Sequence, residues 1–327
     1  MDSDVRKLVA ELREAGLSQA AINAAWPAWW TEAASASQSA QAELRFTLAR
    51  RLGLSPKRLL GERVEFVWRD QARFKHLAAE TADEQAALTS FGVAIAGLLL
   101  RAVNVEGGVA LEDPNNLRQL LGLVDLQSLL AACWAMGIPV IHLRVFPLDA
   151  KMMHATVVQI DGRSAILLGR DANYPAPIAF TLAHELGHIG LGHIQGASAL
   201  VDVQDPATAI DADPDEVAAD KYALTLLTGY PDPLIHANTL KPGGRSLAEA
   251  AIGAGQEHNI EPGTLALCFG FQSGNWRAAM ASLKHIYPRQ QKTWQYVNGV
   301  AERQISWSEL NGDEASYLKL IMGLPDD

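Results

Sequence analysis

The 327-residue chain predicts an α+β fold that is predominantly helical, with a small antiparallel three-stranded sheet just before a helix carrying His184-Glu185-Leu186-Gly187-His188. Three observations predict it. Apolar residues recur at helical spacing over most of the chain, beginning with Val5, Leu8, Val9 and Leu12. The period changes to β-branched runs at 140–146, 156–160 and 165–168, the last two joined through Asp161-Gly162, a hairpin signal. Beyond residue 231, Gly and Pro cut the chain into short helical segments. A chain of this length exceeds one average core. It divides into a helical N-terminal region (1–80), a central region (81–230) and a helical C-terminal module (231–327).

Taken in order, residues 4–25 read as a helix pair with Gly16 and Ser18 as stop and restart, and Trp26, Trp29 and Trp30 as core anchors. Residues 43–61 read as two helices broken at Gly53, the second opened by Ser55-Pro56. They resemble the middle of a helix-turn-helix, and equally a plain helical hairpin. Long buried helices are expected over 81–103 and 117–136, with loops at Glu106-Gly107-Gly108 and Asp113-Pro114. Pro175 and Pro177 place the start of the motif helix near Ala176. In the C-terminal module, helices are expected at 246–257, 263–270, 276–286, 294–304 and 307–322.

Composition narrows the class. Hydrophobic content of 49% with 20% charged residues describes a soluble globular protein. The acidic start Met1-Asp2-Ser3-Asp4 lacks the layout of a secretory signal. The most apolar run, Phe91–Leu100, falls short of the roughly 20 residues a bilayer needs. No membrane partner is expected, and the location expected is cytoplasmic. Cys133 and Cys268 lie far apart in apolar segments and suit buried free thiols. A net charge of −10 opposes nucleic-acid binding by the whole surface. Charge is uneven, however: residues 41–75 hold nine Lys/Arg against four acids, so nucleic-acid contact through 43–75 stands as a minor reading.

The chemistry centres on H-E-x-x-H. On a helix, His184 and His188 share a face and can hold one metal ion between them, and Glu185 is placed as a general base toward water, the logic of a zinc peptidase. By chance the motif would appear in roughly one such sequence in seventy, so a third ligand has to be found. His193 is one candidate; as a helix-end histidine it also suits the C-terminal dipole. Downstream, Glu216 and Asp220 lie four apart behind the N-cap Asp213 and Pro214. Glu216 reads as the third ligand and Asp220 as the carboxylate orienting an imidazole, although Asp213 with Glu216 also fits a capping box. Gly187 and Gly190, each costing about 1 kcal/mol in a helix, suggest the close approach of a second helix. His142, His154 and Tyr174 are the nearby candidates for transition-state stabilisation. An edge strand of the sheet could pair with an extended substrate, and the acidic loop 195–212 reads either as a cover for the cleft or as an idle insertion.

Phe180-Thr181-Leu182-Ala183-His184-Glu185-Leu186-Gly187-His188, followed by Glu216, Ala219, Asp220, Tyr222, Ala223, Leu226 and Leu227, resembles the ImmA/IrrE family of metallopeptidases over roughly 91–228. Asp220 stands where that family often has asparagine, and Thr228-Gly229 replaces its usual Met-Pro. The resemblance implies a zincin-like core holding one Zn2+ per chain on His184, His188 and Glu216, with Glu185 as catalytic base and Asp220 orienting. It also implies an intracellular endopeptidase whose substrate is a regulatory protein such as a helix-turn-helix repressor. Two other classes remain: a DNA-binding transcriptional regulator, and an antirepressor that binds metal without turnover.

Overall fold

The computed structural model describes residues 3–60, 64–67, 72–75, 82–103, 111, 113–149, 153–194, 199–202, 213–235 and 242–325. Outside them lie the expected loop at Glu106-Gly107-Gly108, most of the acidic loop 195–212, and Arg63 and Arg69 of the basic stretch. The fold is α+β and mostly helical, with fourteen α-helices and five strands among the described residues.

The N-terminal region holds α1 (Ser3–Glu14), α2 (Gln19–Ala25), α3 (Gln38–Leu52), α4 (Pro56–Leu60) and strand β1 (Ala72–Lys75). Gly16, at φ 91°, ends the first helix, and Ser18 starts the next by accepting from the Ala21 amide. Trp26 and Trp30 pack edge to face on each other, both partly buried against the core, while Trp29 is 38% exposed. Gly53 adopts a left-handed conformation, and a Cβ there would overlap the Ser90 carbonyl, so only glycine fits this turn. Helix α4, in the place of a recognition helix, has five residues. Two of the basic residues turn inward: Arg45 donates to the Leu59 carbonyl, and buried Arg51 donates to the carbonyls of Ala25 and Asp313.

The central region begins with α5 (Ala82–Arg101). The single helix expected over 117–136 is instead two, α6 (Pro114–Leu121) and α7 (Leu126–Ala135). Gly122 terminates the first at φ 72°, and a reciprocal Asp125/Ser128 capping box opens the second. Strands β2 (Val140–His142), β3 (Ala155–Ile160) and β4 (Arg163–Leu168) precede α8 (Pro175–Gly190), and β5 (Ala199–Asp202) precedes α9 (Pro214–Thr228). The five strands form one sheet in the order β1-β5-β3-β4-β2. A three-stranded antiparallel sheet therefore has to be corrected to a five-stranded mixed one. Strands β3 and β4 form the expected hairpin, turning at Asp161 (φ 50°) and Gly162 (φ 77°). Because β4 folds back between β3 and β2, the two strands β2 and β4 run parallel. The segment 199–202 adds a strand, antiparallel to β3 and parallel to β1.

Alternation along the strands splits their side chains between two cores. Ile141, Val158, Ala165 and Leu167 join α5, the N-terminal helices and the last helix in one core. Val140, Val157, Ile166 and Leu168 join α7, α8 and α9 in the other. The sheet thus lies between α5 and α8 and gives α8 a rigid floor. At the β2 edge, Asn298 accepts from the His142 amide and donates to its carbonyl, occupying the groups an added strand would use. Cys133 and Cys268 are free and buried, and burial pushes both thiols upward, Cys268 to about 12.

Beyond α9 come α10 (Gly244–His258), α11 (Pro262–Ser273), α12 (Trp276–Ile286), α13 (Thr293–Gln304) and α14 (Gly312–Met322), the last capped by Asn311 rather than starting at Trp307. No helix among the described residues is long and apolar enough to cross a membrane.

Candidate metal centre

Helix α8 starts at Pro175 with the motif in its last two turns, and residues 176–188 other than Phe180 are buried. Helix α9 is capped by Asp213, whose carboxylate accepts from the Asp215 amide. The capping-box alternative for Glu216 gives way to the ligand geometry, because its carboxylate faces the histidines. Glu216 Oε2 lies 3.2 Å from His184 Nε2, and Oε1 lies 3.4 Å from His188 Nε2. The two Nε2 atoms are 2.9 Å apart. In tetrahedral coordination with bonds of ~2.0–2.1 Å, ligand atoms sit about 3.3 Å apart, close to these three separations. His184, His188 and Glu216 could therefore hold a metal ion, and all three are buried. Two nitrogens and a carboxylate crowded together in a water-poor site are electron-pair donors that a cation would reconcile. The His2Glu set fits zinc with one position left open.

The supporting contacts were partly legible. His184 Nδ1 lies 2.8 Å from Asp220 Oδ1, so the imidazole donates from Nδ1 and keeps its Nε2 lone pair toward the other ligands. Glu185, the residue after His184, is completely buried. His193 is not in the group of three; its Nδ1 lies 2.9 Å from His188 Nδ1. Spacing alone does not reveal that contact. The signal available was Leu191-Gly192-His193, a glycine-terminated helix end that turns the chain back.

Of the three candidates for transition-state stabilisation, Tyr174 is placed away from the centre. Tyr174 precedes α8, ten residues and about 15 Å of helix rise from His184, stacked on Tyr287 at 5.6 Å. The His154 carbonyl accepts from the Gly169 and Arg170 amides, tethering the segment that leads into α8. The buried His142 ring has its nitrogens 2.9 and 2.7 Å from the carbonyls of Leu143 and Arg170.

The two motif glycines face α9. A Cβ on Gly187 would stand 3.0 Å from the Ala219 carbonyl oxygen and 3.1 Å from the Tyr222 Cβ; one on Gly190 would meet Leu111 and the Tyr222 ring. This closeness brings Glu216 within reach of both histidines. Gly187→Ala is expected to lose stability despite the better helix former: about 1 kcal/mol of propensity is gained, and ~1–3 kcal/mol of overpacking against a helix backbone opposes it. Denaturant unfolding of the metal-free variant checks the sign, and a gain in stability would show that the approach is not tight.

Beside the centre runs a cleft of about 620 Å3 between α8, α9, α11 and α12, with Asp220 in its wall. Phe180, Val217, Leu224, Leu267, Phe271 and Met280 make it mainly apolar. No protein-family model matches the chain, and no curated protein or solved structure matches it either.

Proposed function

We propose that this chain is a zinc-dependent endopeptidase with a zincin-like core, of the kind the ImmA/IrrE resemblance implies, hydrolysing a peptide bond in a regulatory protein such as a helix-turn-helix repressor. The observation that carries the reading is the convergence of His184, His188 and Glu216 from two helices, with buried Glu185 adjacent to His184 in sequence. Zinc in a His2Glu set supplies Lewis acidity toward water and a carbonyl oxygen. Asp220 holds His184 in the tautomer that leaves Nε2 free to ligate. Glu185 takes a proton from the attacking water and delivers it to the leaving amine. The apolar cleft next to Asp220 suits the side chains of a protein better than a small polar substrate. DNA binding through 43–75 draws no support from Arg45 and Arg51, whose guanidinium groups are engaged inside the fold.

The test is incubation of the zinc-loaded chain with unfolded proteins and helix-turn-helix repressors, with new N-termini read by mass spectrometry. Cuts should appear with zinc and disappear with a chelator. Intact proteins after long incubation with the metal-loaded chain would sink the peptidase reading and leave the contact-only antirepressor.

A further inference from the structure

Helix α8 ends in a Schellman turn. Gly192 is left-handed at φ 72°, its amide donates to the Ile189 carbonyl, and the His193 amide donates to the His188 carbonyl at 3.0 Å. Such a turn normally places an apolar side chain over the third residue from the helix end. Here it places one imidazole over another: the rings of His188 and His193 lie 5.1 Å apart at 63°, with Nδ1 facing Nδ1 at 2.9 Å. On its other side, His193 Nε2 lies 3.7 Å from Asp215 Oδ1, at the start of α9 and next to Glu216. The His193 side chain is only 11% exposed.

Between two facing Nδ1 atoms one proton is shared, and a ligating His188 must own it, because its Nε2 lone pair is needed for the metal. His193 must then accept, with its own proton on Nε2, the side Asp215 favours. We propose that His193 is a positioning residue for the metal centre, fixing His188 as Asp220 fixes His184 and tying the end of α8 to the start of α9. This rests on the metal-centre reading above. Each ligating imidazole is then oriented by a different partner, a carboxylate for one and a neutral histidine for the other.

Two variants of the full-length chain test it. In His193→Asn the side-chain oxygen falls where Nδ1 stood and can still accept; in His193→Leu the space is filled without an acceptor. Zinc affinity is measured by competition with a chromophoric chelator, and the coordination sphere by the visible spectrum of the cobalt-loaded protein. His193→Leu should bind zinc roughly 10–100-fold more weakly, the usual effect of losing an orienting partner. His193→Asn should stay near the native affinity. Both should keep the native cobalt band positions, since His193 is not a ligand. The inference is overturned if His193→Leu binds as tightly as native, if His193→Asn is as weak as His193→Leu, or if the bands shift. A native chain that binds neither metal overturns the metal centre itself, a distinct result. Should His193→Leu fail to fold, the affinity and bands of His193→Asn alone decide.

Discussion

Glu185→Gln is expected to bind zinc as the native chain does and to cleave its substrate roughly 100–10,000-fold more slowly, the range of a lost general acid–base group. Glutamine has nearly the shape of glutamate, so the fully buried site should remain packed. Its amide cannot take a proton from water. Elemental analysis and initial cleavage rates on one preparation check both halves. Unchanged turnover would show that proton transfer runs through another group, and loss of zinc would make Glu185 part of the ligand set.

Glu216→Ala should produce the complementary pattern, with metal lost and the apo fold retained. Asp213 still accepts from the Asp215 amide, and Asp213 and Pro214 still begin α9, so the helix keeps its start. Two histidines 2.9 Å apart are left without their anionic partner. The fall in zinc affinity should exceed the roughly 10–100-fold expected for losing an orienting residue such as Asp220. Dialysis followed by metal quantification reads the first effect, and thermal unfolding of both metal-free proteins reads the second. Full zinc retention would mean that another residue completes the site.

The grouping of His184, His188 and Glu216 is legible in the sequence because its information is local. His184 and His188 are one turn apart, Glu216 and Asp220 are one turn apart, and Pro175 and Asp213-Pro214 mark where the helices begin. Two glycines at one helix face foretold the helix that crosses it. The partner of His188 was harder to see, because it depends on a turn of handedness opposite to the helix. The sheet was only half legible. Its hairpin is written in Asp161-Gly162, whereas β5, just Ala199–Asp202, is defined by the neighbours it pairs with. The direction of β2 relative to β4 follows from which strand inserts between which, and alternation along a strand holds no record of that. The apolar spacing of 117–136 predicts one helix because it hides a second start, yet Gly122 and Asp125-x-x-Ser128 mark that start.

Arg51 reaches Asp313 across 262 residues of chain, and Leu44, Leu48 and Leu52 share a core with Leu318, Ile321 and Met322. During synthesis the part of the early helices that α14 covers therefore waits on the order of 13–52 s at ~5–20 residues per second, whereas the part packed on α5 does not. The centre faces no such delay, for Asp220 follows His184 by 36 residues. The order of manufacture is thus inverted with respect to the order of the chain: the middle can be assembled first, and the beginning is sealed last by what comes near the end. Any holding factor met on the ribosome would be needed for α1–α3 rather than for the helices that carry His184, His188 and Glu216.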